Sequence, residues 1–298
     1  RGAKLIIINP REIELVRFAD LWLRPRLGTD VPLLMGMART IVDESLMDQA
    51  FITERCENFD AFKKSLQNFT LSTVTQITGV PRDKISEAAH IYATNKPASL
   101  LFAMGITQHS HGTDNVLAIA NLAMLTGNIG SPGNGVNPLR GQNNVQGACD
   151  MGSLPNVFPG YQQTTNETVR QKFEAAWGVS LSSTQGLTLT EILDAARHKQ
   201  IKAIHLIGEN PILSDPDANH VRKALETLEF LVVQDIFLSE TARLADVVLP
   251  SASFVERDGT FTNTERRVQR VRKAIEPIGD SRPDWWIICQ IARGMGGK

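Results

Sequence analysis

The sequence predicts an α/β protein made of two doubly wound, mostly parallel units. Short, continuous apolar runs of strand length recur along the chain, and segments with helical periodicity lie between them. Such strands, separated by helices, are typical of a parallel sheet with helices on both faces. The chain has 298 residues, which is enough for about two domains.

Five apolar runs are predicted to be strands, and a small or polar residue lies within two positions after each run. They are residues 4–8, 99–103, 203–207, 230–233 and 246–249. Each run is short and is bounded by Gly, Pro, Asn or Gln, as expected for buried strands. The carboxyl ends of these strands are therefore the first place to look for a ligand site.

Start and stop signals mark the helices of the first half. Asp30 is predicted to cap a helix that has Pro32 in its first turn. A second helix is predicted after Pro81, and residues 114–125 form an apolar helix that Gly127 is placed to end. Three helices are thus expected around the strands of this half.

The second half has similar signals. Thr188 and Glu191 have the spacing of a capping box. Ser214 is predicted to cap another helix, with Pro216 in its first turn and Asp217 close by. These signals predict helices on either side of the 203–207 strand.

A last helix is predicted to begin near Asp284. Asp284 is a candidate N-cap, with a ligand contact as the alternative. Trp285 and Trp286 are expected to be core and packing residues, and the mostly basic segment 265–273 is expected to be a solvated or interface segment.

Residues 126–163 form a long run with little apolar periodicity, rich in glycine and amide side chains. Arg140 is its only basic residue and Asp150 its only acidic one. Long loops inside compact domains are uncommon and are usually functional or disordered. We therefore expect this loop to join two α/β units, residues 1–142 and 143–298.

Bulk composition excludes several classes of function. The net charge of −1 gives no basic field for nucleic acid or an anionic membrane, and no apolar run approaches the length of a membrane span. The three cysteines, Cys56, Cys149 and Cys289, are far apart, which argues against a zinc or iron–sulfur site built by this chain alone. Sparse cysteine usage fits a reducing compartment, so a cytoplasmic location is expected. Both ends look cut, which suggests a piece of a longer protein.

The common nucleotide and hydrolase motifs are absent from the sequence. There is no GxGxxG after a strand, no GxxxxGK[ST], no GxSxG and no HExxH. Instead, polar and small residues gather after strand ends, and these suit a ligand with a base, a ribose or phosphates. They are Asn9, Arg11, Gly105, Gln108, Gly208, Glu209, Asn210, Gln234, Asp235 and Ser251. Ordinary turn and cap roles explain each of them equally well.

Arg140 is the sharpest single candidate. A guanidinium group is planar and always charged, so it can hold a carboxylate through two parallel hydrogen bonds. The alternative is a solvated loop arginine. His109 and His111 resemble a metal-binding pair, but without further ligands they are more simply polar loop residues.

The segment that surrounds Arg140 closely resembles the catalytic subunit of molybdopterin-dependent formate dehydrogenases. The resemblance is carried by RGQNNVQGACDMGSLPNVFPGYQ and, in the same order, by MGITQHSHG, IGENPILSD, the LADVVLP region and PDWWIICQIA. It covers essentially the whole chain. The middle of the chain and LADVVLP are shared more loosely with the wider molybdopterin oxidoreductase superfamily, whose fold has the type found in dimethyl sulfoxide reductase.

This resemblance implies a chemistry. Formate would be oxidised to CO₂ at molybdenum or tungsten held by two molybdopterin guanine dinucleotides, and electrons would pass to a [4Fe-4S] cluster. Arg140 would orient the formate carboxylate. The strand-end residues named above would contact the pterin and guanosine groups, and the resemblance adds Gly28, Asp30, Met104, Gly141, Gln142, Ser214 and Asp284.

The sequence also departs from the family. It lacks the cysteines for the cluster and the cysteine or selenocysteine that binds the metal, and Asn9 stands where relatives have Asp. We therefore expect a central piece of a catalytic subunit, inactive alone, whose partners are formate, the remaining domains of the subunit and an electron-transfer subunit. The alternatives are a related enzyme of the nitrate reductase type and a non-catalytic scaffold like the large subunit of respiratory complex I.

Overall fold

A computed structural model describes residues 2–263 and 265–297, which form two compact units, Arg1–Gly141 and Gln142–Lys298. Each unit has parallel strands, with helices between them in sequence. The predicted mixed α/β class with mostly parallel strands is confirmed, since four of the six strand pairings among the described residues are parallel and two are antiparallel.

The first unit has four strands and seven helices among its described residues. In chain order these are β1 (Ile6–Ile8), β2 (Leu21–Leu23), α1 (Asp30–Asp43), α2 (Gln49–Arg55), α3 (Phe59–Ser65), α4 (Leu71–Thr78), α5 (Arg82–Thr94), β3 (Ser99–Phe102), α6 (Met104–Thr107), α7 (Gly112–Leu125) and β4 (Gly135–Pro138).

Helix α1 is the centre of the first core. It packs against α4, α5 and α7. Leu33 and Ile41 of α1, Ile85 of α5 and Leu122 of α7 are completely buried. Burying a side chain of this size contributes about 1.5–3 kcal/mol. The two parallel pairs, β1 with β2 and β3 with β4, are attached to this helical core through their apolar residues.

The second unit has seven strands and six helices among its described residues. They are α8 (Val145–Asp150), β5 (Val157–Phe158), β6 (Gln162–Gln163), α9 (Glu167–Trp177), α10 (Leu189–Arg197), β7 (Ala203–Ile207), α11 (Pro211–Ser214), α12 (Ala218–Glu226), β8 (Phe230–Asp235), β9 (Val247–Pro250), β10 (Gly259–Thr262), β11 (Val268–Val271) and α13 (Asp284–Gly294).

Strands β7, β8 and β9 form a parallel sheet in that order, and β5–β6 and β10–β11 are antiparallel pairs. Helices α10 and α12 cover one face of the three-stranded sheet. Leu193 and Val221 of these helices pack with Leu231 and Val233 of β8 in one buried cluster. The second core is therefore smaller than the first and lies on one side of its sheet.

The prediction that both faces of the parallel strands are covered is wrong for β3 and β7 within the part of the chain that the structure describes. Exposure alternates along both strands, and Leu101 of β3 is 64% exposed. An alternating pattern means that one face packs on a core and the other faces outward. The apolar composition of these strands predicted burial without showing which face was buried.

The long 126–163 run is more ordered than its composition suggested. It contains strand β4, helix α8 and the short β5–β6 pair. Strand β4 has the sequence GVNP and pairs in parallel with β3, Ser99 with Gly135 through Phe102 with Pro138. Gly, Asn and Pro are all depleted in strands, so this segment has a low strand propensity and was not predicted to be a strand.

Three predicted helix caps are wrong. Thr29, not Asp30, is the N-cap of α1, and Pro283 precedes α13, whose first residue is Asp284. Ser214 is the last residue of the short helix α11 rather than an N-cap, and Pro216 lies before the next helix. The side chain of Asp217 caps α12 by accepting the His220 N–H at 3.1 Å.

Other signals are confirmed. The Thr188–Glu191 capping box is present, and Glu191 accepts the Thr188 N–H at 2.7 Å. Gly127 follows the end of α7 with a φ of +67°, a conformation that glycine adopts easily. Trp285 and Trp286, in contrast, are exposed at the start of α13, so their prediction as buried packing residues is wrong.

None of the helices found in residues 2–263 and 265–297 combines the length and the apolar character that crossing a bilayer requires.

Candidate functional site

In the second unit, the carboxyl ends of β7, β8 and β9 meet at one edge of the sheet. The Gly208 N–H, just after β7, donates to the Gln234 carbonyl at 2.8 Å, and the Ser251 N–H, just after β9, donates to the Asp235 carbonyl at 3.0 Å. These four residues are therefore neighbours. Gln234 and Asp235 are the last two residues of β8 rather than the first residues after it.

Acidic side chains make this edge electronegative. Partial loss of solvent raises the pKa of the Glu209 carboxyl, and the negative charges of Asp215 and Asp235 raise it further. The Asp235 carboxylate accepts the Phe237 N–H at 2.9 Å, which fixes the turn after β8. A ligand that brings hydrogen-bond donors, such as a base or sugar hydroxyl groups, would relieve the repulsion at Glu209.

Replacing Glu209 with glutamine is expected to stabilise the chain at neutral pH. An acid whose pKa is raised by folding contributes stability below its unfolded pKa, near 4.5, and loses that contribution as pH rises through the folded value. Glu209→Gln should therefore raise the free energy of unfolding at pH 7 by less than about 1 kcal/mol, because exposed charges are screened. This gain in the free energy of unfolding should vanish about one pH unit below 4.5, where the carboxyl of the unsubstituted protein is protonated in the unfolded state as well.

Glu240→Gln is the matched control with the opposite sign. The Asn210 amide, which donates to Glu240 at 2.8 Å, lowers the pKa of Glu240. This substitution should lower the stability at neutral pH, and its effect should also disappear in acid. Urea unfolding of both variants, at pH 7 and in acid, measures these changes in the free energy of unfolding. If the two substitutions change it in the same direction at pH 7, the proposed charge environment of Glu209 is wrong.

Gln234 is completely buried, and both polar atoms of its amide have a partner inside the protein. Its Nε2 donates to Asp284 Oδ1 at 2.8 Å, and its Oε1 lies 3.1 Å from His205 Nε2. Arg257 Nη2 lies 3.5 Å from the other oxygen of Asp284. Gln234 and Arg257 therefore hold the Asp284 carboxylate in place. Sequence reasoning missed Arg257, because no strand end or motif drew attention to it.

Asn210 and Ser214 are also engaged in local structure. The Asn210 side-chain oxygen accepts the Thr241 hydroxyl at 2.7 Å and the Thr241 N–H at 3.2 Å. The Ser214 hydroxyl donates to the Asn210 carbonyl at 3.2 Å and also lies 3.2 Å from Asp215 Oδ1. Both residues thus shape the loop after β7, in line with the turn and cap roles that the sequence left open.

Ser251 differs from these residues. It is only 7% exposed, and within the residues that the structure describes its hydroxyl has no hydrogen-bond partner. Buried polar atoms without a partner are uncommon, and each one calls for a reason. This hydroxyl leaves hydrogen-bonding capacity at the same edge as Gly208, Gln234 and Asp235.

In the first unit, the edge after β1 and β2 carries Asn9 and Arg11. The Asn9 N–H donates to the Leu23 carbonyl at 3.1 Å, and the Asn9 carbonyl accepts the Trp22 indole N–H at 2.9 Å. The Asn9 amide donates to the Arg11 carbonyl. Asn9 is therefore a turn-forming residue that presents Arg11 on the exposed surface.

The edge after β3 and β4 carries Met104, Gly105 and Arg140. The Leu139 N–H donates to the Phe102 carbonyl at 2.7 Å, and this bond joins the residue after β4 to the last residue of β3. Arg140 and Gly141 follow immediately, at the same end of the pair as Met104 and Gly105. Arg140 is exposed, as are Met104, Gly105, Gln108 and Gly141. Gln142, also exposed, begins the second unit.

A cleft of about 400 Å³ in the first unit lies between the start of α1 and helix α7. Gly28, with a φ of +74°, lies at its rim near the His111 ring. Its lining also contains the carboxylate of Asp114 and the amide of Asn121. Asp30 is the first residue of α1 and is half-buried. Asp114 and Asn121 were missed because both lie inside a helix with an apolar pattern.

The strand ends of each unit, taken separately, carry groups that suit a polar ligand. Within residues 2–263 and 265–297, no group of three or more His, Cys, Asp and Glu side chains is placed to hold a metal ion. Helix N-termini, open glycines and exposed amide and acidic groups at strand ends are the features that bind nucleotides in α/β proteins.

Comparison with known proteins agrees with the sequence resemblance. Residues 1–294 match the family model described as Molybdopterin oxidoreductase. The F420-dependent formate dehydrogenase subunit alpha of Methanocaldococcus jannaschii is 52% identical over 99% of this chain and 44% of its own length. Formate dehydrogenase H of Escherichia coli is 46% identical over 99% of this chain and 41% of its own length. The chain thus spans less than half the length of these relatives.

The fold has a solved counterpart. Acetylene hydratase from Pelobacter acetylenicus matches with a TM-score of 0.78 at 24% identity, over 99% of this chain and 43% of that protein. At this identity the likeness concerns the fold alone, and it supports the arrangement of parallel strands and helices described above.

Proposed function

The chain belongs to the molybdopterin oxidoreductase family, and from this premise we propose that it is the central part of the catalytic subunit of a formate dehydrogenase. The substrate is formate and the product is CO₂. The proposal is supported by relatives named as formate dehydrogenases, which are 46–52% identical to nearly the whole chain. It is also supported by the position of Arg140.

The cofactor that we propose is molybdenum or tungsten bound by two molybdopterin guanine dinucleotides. The strand-end edges fit such a group on three counts. A Cβ added at Gly105, Gly141 or Gly208 would meet no atom within 4 Å, so there is space above these backbones. The Ser251 hydroxyl is buried and has no hydrogen-bond partner among the described residues, and hydrogen-bond donors on a ligand would stabilise the charged Glu209 carboxylate.

Within this proposal, each unit supplies residues that form the site of one dinucleotide. The first unit supplies Asn9, Arg11, Gly28, Asp30, Met104, Gly105, Gln108 and Gly141. The second supplies Gln142, Gly208, Glu209, Asn210, Ser214, Gln234, Asp235, Ser251 and Asp284. Because the Gln234 amide is buried and bonded, we propose that it acts by holding Asp284 rather than by touching the ligand.

Arg140 is the residue that we propose binds formate. It is exposed and directly follows the last hydrogen bond of the β3–β4 pair. Its guanidinium can donate two parallel hydrogen bonds to a carboxylate, which fixes both the position and the orientation of a one-carbon acid. When bound, the metal centre supplies the two-electron acceptor for formate, while Arg140 holds the substrate.

Further parts of the system are proposed to lie outside these 298 residues. These are the cysteine or selenocysteine ligand of the metal, the [4Fe-4S] cluster, the remaining domains of the subunit and an electron-transfer subunit. We propose a cytoplasmic protein whose catalytic subunit is complete only with these parts, and we expect the present chain alone to be inactive toward formate.

Cofactor analysis of the complete protein tests this proposal. Acid treatment should release guanosine monophosphate together with molybdenum or tungsten, with two nucleotides for each metal ion. Metal without nucleotide would contradict the dinucleotide form. A protein with neither would favour the scaffold alternative, and nitrate reduction without formate oxidation would favour the nitrate reductase type.

A further inference from the structure

The loop after strand β3 packs against the start of helix α7 in the first unit. The Asn115 side-chain amide donates to the Ile106 carbonyl at 2.8 Å. A Cβ at Gly112 would overlap the Thr107 carbonyl oxygen, so the backbone of α7 touches the backbone of the loop. All four residues belong to the first unit. The loop is therefore fixed by contacts within one compact unit.

This loop has little stability of its own. Its helix α6 has four residues, Met104–Thr107, and a helix of this length is not stable alone. The Gln108 N–H donates to the Met104 carbonyl at 2.9 Å, which is a bond within the loop. The Asn115 amide, in contrast, joins the loop to α7, a helix of fourteen residues that packs against α1 in the first core.

Asn115 is completely buried, and the two polar atoms of its side chain differ. The nitrogen donates to the Ile106 carbonyl, which can only accept. The oxygen is buried and has no hydrogen-bond partner among the described residues. A buried acceptor without a partner costs free energy, which an apolar side chain of similar size would avoid. Asparagine therefore contributes at this position through its donor to the loop.

We infer that Asn115 is a positioning residue for the cofactor site of the first unit, an inference that rests on the proposed function. Met104, Gly105 and Gln108 are among the residues proposed above to form that site. Each of them lies within two positions of Ile106. By holding the Ile106 carbonyl, Asn115 fixes the backbone on both sides. A loop that is ordered before binding loses less conformational entropy when the ligand binds, so the ligand is held longer.

Asn115→Leu removes the donor at similar size, and Asn128→Leu is its matched control. Asn128 is 1% exposed and also lies in the first unit. Its side-chain oxygen accepts the Ala98 N–H at 3.1 Å, and its amide donates to the Thr126 hydroxyl at 2.9 Å. Ala98 precedes β3, so it lies at the opposite end of this strand from the loop. Both substitutions remove buried hydrogen bonds, but only Asn115→Leu releases the loop.

Hydrogen exchange in the complete protein without its cofactor tests the contact. Asn115→Leu should lower the protection of the Ile106 and Gln108 amides about tenfold or more, because both N–H groups bond within the loop. Asn128→Leu should leave both amides unchanged. If Asn115→Leu does not fold, Asn115→Ser, whose shorter side chain does not reach the Ile106 carbonyl, replaces it. Unchanged protection in the variant that folds would refute the role of Asn115 in fixing the loop.

Release of the cofactor from the complete, loaded protein tests positioning. The measurement is the guanosine nucleotide that remains on the protein over time. Asn115→Leu should lose it about tenfold faster than the unmodified protein, and Asn128→Leu should stay within about twofold. Equal rates for the two variants, or lost loop protection without faster release, would make the contact merely structural and overturn the inference. A complete protein without nucleotide would overturn the proposed function, while hydrogen exchange still decides whether Asn115 fixes the loop.

Discussion

Arg140→Lys in the complete protein is expected to lower kcat/KM for formate by about 10- to 100-fold. Lysine keeps the charge but replaces a planar pair of donors with a single ammonium group, so the carboxylate loses one hydrogen bond and its fixed orientation. Losing one charge-assisted hydrogen bond costs about 1.5–3 kcal/mol, which corresponds to this range. Steady-state kinetics with formate and an artificial electron acceptor measure the change.

Arg222→Lys is the control for this experiment. Arg222 is an exposed arginine of helix α12 that lies 3.9 Å from Glu226, and lysine can keep that ion pair. Its substitution should leave kcat/KM within about twofold, as expected for a surface position. An Arg140→Lys protein that matches Arg222→Lys in kcat/KM, at equal metal content, would remove Arg140 from the substrate site.

Gly112→Ala is expected to produce the largest loss of stability among single-methyl additions at the strand-end loops. A Cβ at Gly112 would overlap the carbonyl oxygen of Thr107 and lie 2.9 Å from its carbonyl carbon. The obstacle is backbone, held in place by the Asn115 amide, which donates to the Ile106 carbonyl at 2.8 Å. Overpacking of this kind costs about 1–3 kcal/mol or more, a large part of a typical stability of about 5–15 kcal/mol.

Gly105→Ala, in the preceding helix α6, is the matched control. A Cβ at Gly105 would meet no atom within 4 Å, so its stability should change by less than about 0.5 kcal/mol. Urea unfolding of the 298-residue chain compares the two. Equal midpoints for Gly112→Ala and Gly105→Ala would show that the turn between α6 and α7 is not packed as described.

The strands that were predicted well are those with a continuous apolar run and a glycine or proline at the end. Strand β7 begins and ends where the sequence indicated, because its run is bounded by Lys202 and Gly208. Strand β4 was not predicted, because a strand made of glycine, asparagine and proline exists only through pairing with β3. Strand propensity depends on the residues of the segment itself and does not show which other strand pairs with it and stabilises it.

In the candidate site, too, the sequence predicted some residues and missed others. The sequence indicated Gly208, Asp235 and Ser251, since residues after parallel strands gather at one edge. It did not indicate Arg257, because its partner Asp284 is distant in sequence. Nor could it show that both polar atoms of the Gln234 amide have partners inside the protein. Such roles depend on tertiary contacts, which periodicity and spacing do not record.

We propose that Arg140 binds formate in a molybdopterin enzyme. The most direct measurement is formate-dependent reduction of a viologen dye by the complete, metal-loaded protein and by its Arg140→Ala variant. We predict rapid reduction by the unmodified protein and a loss of about 100-fold or more in kcat/KM for the variant at equal metal content. Equal rates for the two proteins, or no formate oxidation by the unmodified protein, would contradict the claim.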